Sequence, residues 1–273
     1  MNEPASRGQA SGTRWDAGQY LRFAGHRLRP ALELLGQVPH EAPGLVYDLG
    51  CGTGDISRVM TGRWPAAEVV GLDSSPQMLT RAAAGGGNVR WEQADIAAWT
   101  PPRPPDVIYS NATLQWLGGH RALFPRLLGL LAPGGCLAVQ MPLSWDQPSH
   151  RLMRETLADG APDGGALGTP ELAATVGRRW VDDAADYYDL LAPSAAALDI
   201  WETEYLQVLE GEDPVLEWVK GTGLRPILEG LEGTERARFL DLYRERLRAT
   251  YPRRADGRTL YPFRRLFIVA VRA

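Results

Sequence analysis

Val46-Tyr47-Asp48-Leu49-Gly50-Cys51-Gly52-Thr53-Gly54-Asp55-Ile56-Ser57 carries an acidic residue two positions ahead of three glycines that alternate with other residues. The stretch follows a short apolar run and leads into a helical pattern, so it reads as strand, tight turn and helix start. Glycines at such a junction let the chain turn sharply and let a ligand lie against bare backbone, with the amides of the helix N-terminus facing it. A second carboxylate, Asp73, ends the next apolar run, Val69-Val70-Gly71-Leu72. Roughly twenty residues further along, it is placed to accept hydrogen bonds from a ribose diol. The pattern is that of a nucleoside-binding site.

The spacing narrows the nucleoside. Dinucleotide folds use G-x-G-x-x-G to bring a helix dipole onto a pyrophosphate, whereas Asp-x-Gly-x-Gly-x-Gly places an anion, Asp48, at the mouth. A carboxylate there repels phosphate. It suits a cationic ligand with an ammonium group, such as the methionine moiety of S-adenosylmethionine (SAM).

With these residues the chain resembles the class I SAM-dependent methyltransferases, and further segments follow in that family's order. Glu92-Gln93-Ala94-Asp95-Ile96 closes a third apolar strand, where the resemblance implies an acidic side chain, Asp95, next to the adenine amino group. Asn111-Ala112-Thr113-Leu114-Gln115-Trp116 follows a fourth strand and corresponds to the loop facing the transferred methyl, and Pro133-Gly134-Gly135 leads into a fifth. The implied cofactor contacts are Asp48, Gly50, Cys51, Gly52, Asp73, Ser74, Met78, Asp95, Ile96, Asn111 and Gln115. Tyr20-Leu21-Arg22-Phe23, Val139-Gln140-Met141-Pro142, Asp199-Ile200-Trp201-Glu202, Trp218-Val219-Lys220-Gly221 and Phe263-Arg264-Arg265-Leu266-Phe267 narrow the resemblance to the trans-aconitate 2-methyltransferases, from about Trp15 to Ala273. Thr53, where that family commonly has proline, and the variable loop 161–179 are the departures.

The resemblance implies transfer of methyl from SAM to a carboxylate of trans-aconitate; the same chemistry on another small organic acid or a natural-product hydroxyl is the alternative. Displacement at a sulfonium needs a nucleophile aligned at about 3 Å and shielded from water. A carboxylic acid of this kind titrates near pH 4 and is ionised at neutral pH, so no catalytic acid or base is required, and the protein positions and desolvates. A polycarboxylate needs cations and donors, and arginine forks suit it. The candidates are Tyr20, Arg22, His26, Arg29, Trp116, Trp145, Arg225, Tyr261 and Arg264, together with Arg265; Arg29 could instead hold the SAM carboxylate. Two other classes are weighed. A nucleic-acid methyltransferase would carry an Asn/Asp-Pro-Pro-aromatic element after the fourth strand and a basic face, but Asn111 is followed by Ala-Thr-Leu and the net charge is −4. A SAM-binding regulator would be expected to lose the methyl-facing loop, which is present.

The chain has 273 residues, 44% of them hydrophobic, enough for a full core. Its two cysteines, Cys51 and Cys136, indicate reduced thiols rather than a disulfide framework, and Cys51 is a poor candidate nucleophile with no histidine nearby in sequence. The histidines 26, 40, 120 and 150 lack metal-ligand spacing. No run of about 18 apolar residues occurs, and the start lacks a secretory core. A cytoplasmic enzyme is expected, with a small carboxylate as partner, no nucleic acid or membrane, and a monomeric or weakly dimeric state.

Alternating patterns place a helix at 16–38, strands at 45–50, 68–73, 89–94, 107–110 and 137–141 with helices between them, and later strands at 196–209 and 259–271. Helical spacing at 214–221, 227–231 and 235–251 indicates a cap over the site, and the Gly- and Pro-rich stretch 159–170 a mobile loop. The expected architecture is a Rossmann-like class I methyltransferase α/β sheet, mostly parallel, of seven strands with the last antiparallel. Residues 1–14 are expected to form a disordered tail, and 15–273 one domain with cap elements from 15–40, 143–195 and 212–256.

Overall fold

A computed structural model of the protein describes residues 28–273. Tyr20, Arg22, His26 and the first part of the helix expected at 16–38 lie outside the described residues. Five strands run parallel: β1 (Leu45–Leu49), β2 (Glu68–Asp73), β3 (Val89–Gln93), β4 (Val107–Asn111) and β5 (Cys136–Pro142). Two long strands, β6 (Ala195–Leu209) and β7 (Thr259–Arg272), complete one sheet in the order β3-β2-β1-β4-β5-β7-β6, with β7 antiparallel to both neighbours. This is the seven-stranded sheet with an antiparallel last strand that the resemblance implies.

Every residue of β1 is buried, because helices cover both faces of a parallel sheet. Tyr47, Leu49, Val70, Leu72, Ile108 and Val139 face one way, onto α4 (His120–Leu130) and α7 (Ala184–Leu191). Val46, Val69, Tyr109, Ala138 and Phe267 face the other, onto α1 (Arg29–Gly36) and α2 (Asp55–Arg63) through Leu34, Leu35, Ile56 and Met60. Each large aliphatic side chain buried this way stabilises by about 1.5–3 kcal/mol. Helix α3 (Pro76–Ala84) links β2 to β3.

A third cluster stands apart from the sheet faces. It joins α5 (Pro148–Asp159), α6 (Pro170–Gly177), α8 (Pro214–Lys220), α9 (Arg225–Gly230) and α10 (Gly233–Thr250) through Met153, Leu172, Val219, Ile227, Phe239 and Tyr243. Strand pairing explains its position. β7 pairs with β5 only from Arg265 to Val271, while 259–264 pair with β6 alone, so the β6–β7 ribbon runs past the carboxyl end of β5. It carries Tyr261 and Phe263 into the cluster, which therefore sits at the carboxyl edge of the sheet.

Three local expectations are corrected. No helix joins β3 to β4, because Pro101, Pro102, Pro104 and Pro105 remove amide donors and obstruct helical turns. Instead Arg126 donates to the carbonyls of Trp99 at 2.7 Å and Ile96 at 2.6 Å and holds the connection. The stretch expected to be a mobile loop is tied down: Leu167 is buried and its amide donates to Leu157 O at 2.7 Å, while Arg238 donates to Gly160 O. Finally, α1 and α7, within ranges expected in the cap, lie on the sheet because their apolar stripes bury there.

Candidate functional site

Strand order reverses between β1 and β4, and in an open α/β sheet the crevice outside that switch point receives ligand. The glycine turn after β1 lines one side. The amides of Gly50 and Cys51 donate to Leu72 O at 2.7 and 3.0 Å, pulling the turn against β2. Gly50 has φ +74°, and a Cβ there would lie 2.1 Å from Thr113 Cγ2. The Thr113 hydroxyl donates to Gly50 O at 3.2 Å, so the loops after β1 and β4 touch at this glycine. Gly52 has open space where a side chain would project, which leaves its backbone bare. Its amide donates to Asp73 Oδ2 at 2.9 Å, and Asp73 Oδ1 accepts the Ser75 amide at 2.9 Å. The carboxylate is thus oriented by two backbone donors, with lone pairs remaining for a diol. Ser75, not the neighbouring exposed Ser74, caps α3 by accepting the Met78 amide at 3.3 Å; Met78 is exposed beside it.

Asp48 is 3% exposed and accepts the Ser57 hydroxyl at 2.6 Å. Burial pushes its pKa up to about 7, with the Ser57 bond opposing and the nearby Asp73 charge adding to the rise. Such a carboxyl retains its charge most readily when a cation joins it. The thiol of Cys51 is pushed far above its ordinary range by burial and by Asp48 and Asp73, which keeps it protonated and unsuited to nucleophilic attack. Asp95 is exposed after β3 and accepts the Ala97 amide at 2.9 Å, while Ile96 is buried beside it.

The loop after β4 is held in an unusual conformation. Ala112 has φ 53°, a left-handed value that costs a non-glycine residue of order 1 kcal/mol and is retained here by its surroundings. Its amide donates to Gln140 O at 2.9 Å and its carbonyl accepts Gln115 Nε2 at 2.6 Å. His120 supports the following turn: its Nε2 lies 2.9 Å from Leu114 O and its Nδ1 2.6 Å from the Tyr187 hydroxyl. A carbonyl only accepts, so Nε2 carries the proton and Tyr187 donates to Nδ1. Around this loop three buried atoms lack partners among the described residues: Asn111 Oδ1, Gln115 Oε1 and Gln140 Nε2. Buried polar groups are nearly always paired, so these atoms are candidates to meet a ligand.

The anion-binding candidates separate. Arg265 is 6% exposed, projects from the face of the sheet that also carries Phe267, and donates to Gln140 Oε1 at 2.9 Å. Arg264, one residue away, points to the other side and pairs with Glu202 in a half-exposed ion pair. Arg225 lies on α9 at 64% side-chain exposure, paired with Glu229 at 3.6 Å. Arg29 pairs with Glu33 at 2.7 Å and lies over the Tyr205 ring. Trp145 follows β5 with the Arg154 guanidinium 3.9 Å from its ring centroid, and Trp116 is 54% exposed on the turn after β4. Tyr261 is fully buried in the third cluster, its hydroxyl 3.1 Å from Ser149 Oγ, which makes it a core residue rather than a wall of the crevice. Gln140, Ser57 and Thr113 were not among the candidates drawn from sequence. Gln140 had a signal there, as a polar residue inside the apolar run Leu137-Ala138-Val139 to Met141.

Among the described residues no group of three or more His, Cys, Asp or Glu side chains is arranged to hold a metal ion, and no helix is long and apolar enough to cross a membrane.

Residues 46–135 match the methyltransferase domain family. The chain is 50% identical over 259 residues to a trans-aconitate 2-methyltransferase of Methylobacterium radiotolerans, covering 95% of this chain and 98% of that protein. It is 49% identical to the enzyme of that name from Pseudomonas aeruginosa, covering 94% of each. Among solved structures, the YcgJ protein of Bacillus subtilis matches with TM-score 0.56 at 13% identity, covering 90% of this chain and 99% of that one. A phosphoethanolamine N-methyltransferase of Haemonchus contortus in complex with S-adenosyl-L-methionine matches with TM-score 0.52 at 16% identity, covering 94% and 56%. These two likenesses concern the fold.

Proposed function

Because the chain belongs to the trans-aconitate 2-methyltransferase family, we propose that it transfers the methyl group of SAM to one carboxylate of trans-aconitate, giving a monomethyl ester. The observation that carries this reading is one line of side chains on one face of the sheet's carboxyl edge. Asp48, Asn111, Gln140 and Arg265 share the face occupied by Val46, Tyr109, Ala138 and Phe267, so a carboxylate stands at one end and a buried guanidinium at the other. A cationic donor and an anionic acceptor are the charges these ends complement.

The residues fit SAM. Asp73 is oriented for a ribose diol, the bare backbone of Gly52 admits close approach, and Asp48 answers an ammonium charge. Asn111 Oδ1 and Gln115 Oε1 supply further acceptors, and Ile96 offers an apolar side chain beside Asp95 for a purine ring. When bound, the cofactor supplies an electrophilic methyl on a sulfonium. The protein's own work is to hold the acceptor carboxylate in line and partly strip it of water. No side chain needs to take a proton, because the acid is already ionised at neutral pH. The enzyme acts in the cytoplasm as a monomer or weak dimer in this reading.

A panel of di- and tricarboxylic acids assayed with methyl-labelled SAM tests it. Base-labile methyl incorporation that is greatest with trans-aconitate is expected. Incorporation only into hydroxyl or amine acceptors would overturn it.

A further inference from the structure

Resting on the carboxylate reading above, we infer that Arg154, seated on the ring of Trp145, holds a second carboxylate of the acceptor, one that is not methylated. Trp145 follows the end of β5, and Arg154 stands on the next helix, α5. The guanidinium lies 3.9 Å from the Trp145 ring centroid, and its Nη1 donates to Trp145 O at 2.9 Å. A stack on the ring and one bond to the backbone hold the planar fork without cancelling its charge. Among the described residues no carboxylate pairs with it. Its two acidic neighbours are engaged elsewhere, Glu155 with Arg151 at 3.4 Å and Asp146 with Arg179 at 3.7 Å. Burial lowers the pKa of Arg154 in spite of both acids, which marks a charge only partly compensated.

The indole Nε1 of the same tryptophan is buried and has no partner among the described residues, although buried donors are nearly always paired. An unpaired cation and an unpaired donor in one contact both call for an acceptor, and a carboxylate supplies two oxygens. His150, one helical turn before Arg154, adds no charge, because burial and then the Arg154 guanidinium lower its pKa to about 4. Two consecutive residues fix where this pair stands. Arg179 lies 6.0 Å from the Trp145 ring centroid, while Arg178 approaches Gly118 so closely that a Cβ there would be 3.0 Å from its Nη2. They bridge the loops after β5 and β4 and bring Trp145 beside the loop that carries Gln115. Neither competes for the role, since Arg179 is paired with Asp183 and Asp146, and Arg178 is exposed on the Trp180 ring. An acid with a single carboxylate leaves Arg154 unanswered, which accounts for a preference for polycarboxylates.

The test uses Arg154→Gln and Trp145→Phe in the full-length protein. Melting temperature, SAM affinity by calorimetry, KM for trans-aconitate, and competitive inhibition by crotonate, an unsaturated acid with one carboxylate, are measured. Arg154→Gln is expected to raise KM for trans-aconitate about tenfold or more, with SAM affinity within about twofold and crotonate inhibition within about threefold of wild type. Trp145→Phe keeps an aromatic platform but lacks the indole donor, and should raise the same KM about threefold or more; it carries the test if the glutamine variant fails to fold. An unchanged KM in a folded variant would overturn the assignment. Equal losses for both acids, or a fall in SAM affinity in step with KM, would also overturn it, by moving Arg154 to the transferred carboxylate or to the cofactor. These outcomes leave the carboxylate reading intact, whereas wild-type protein that methylates no acid would remove both.

Discussion

At the scale of single residues, desolvation decides more than residue type. Asp48, buried and accepting the Ser57 hydroxyl, has its pKa raised to about 7 where an exposed aspartate ionises near 4. A cationic ligand favours the charged form and lowers that pKa, so SAM affinity should rise by up to about tenfold per unit as pH increases toward 7 and then level off. Calorimetry across that range checks this, and Asp48→Asn should bind SAM weakly with a flat profile. The sign for folding is opposite. With its folded pKa above the unfolded value of 3.8, Asp48 favours the folded state less as pH rises from about 4 to about 7, so ligand-free Asp48→Asn should be more stable than wild type above neutrality, by at most about 4 kcal/mol. Equal melting temperatures at pH 8 would contradict the burial argument. Gly50 is a steric case: Gly50→Ala forces a Cβ against Thr113 at a left-handed φ, and a loss of about 2–4 kcal/mol is expected in denaturant melts. Thr113→Ala should recover part of it, because the clash disappears while the backbone strain stays.

At the scale of elements, the connection from β3 to β4 shows how a segment without regular structure is made firm. Its prolines exclude a helix, and its carbonyls at Ile96 and Trp99 are taken by one guanidinium reaching from α4. The Trp99 ring packs 4.7 Å from Tyr47, anchoring the segment to β1. Arg126→Met should therefore cost about 1–3 kcal/mol by orphaning two carbonyls. Faster amide exchange confined to residues 95–99, with weaker SAM binding, is the expected signature; exchange unchanged there would refute the role. The turn after β4 depends on α4 in a similar way, through His120 at the start of that helix. The alternating apolar runs made the strands legible, since a buried parallel strand has little other way to be written. The absence of a helix between β3 and β4 is legible too, in four closely spaced prolines, which outweigh the usual alternation of strand and helix.

At the scale of the molecule, the β6–β7 ribbon joins two bodies of structure, running from the sheet into the helical cluster at its carboxyl edge. Within that cluster Ser149 is a polar hub: its amide donates to the Tyr251 hydroxyl, its carbonyl accepts from Tyr243, and its Oγ meets Tyr261. Tyr261→Phe should thus lower stability by about 1 kcal/mol and leave trans-aconitate kinetics near wild type, measured by thermal melts beside initial rates. A large rise in KM with unchanged stability would return Tyr261 to the substrate site. The glycine turn, its two carboxylates and the succession of strands along the chain were determined by the sequence alone, because backbone freedom, charge and apolar period are local properties written in adjacent residues. Which of two neighbouring arginines is buried was decided only by the fold. Arg264 and Arg265 are neighbours of the same type, yet the two-residue period of β7 sends one to a half-exposed pair with Glu202 and buries the other against Gln140 from a strand 125 residues earlier. Pairing register sets that choice, and register arises from contacts between distant strands that no local pattern encodes.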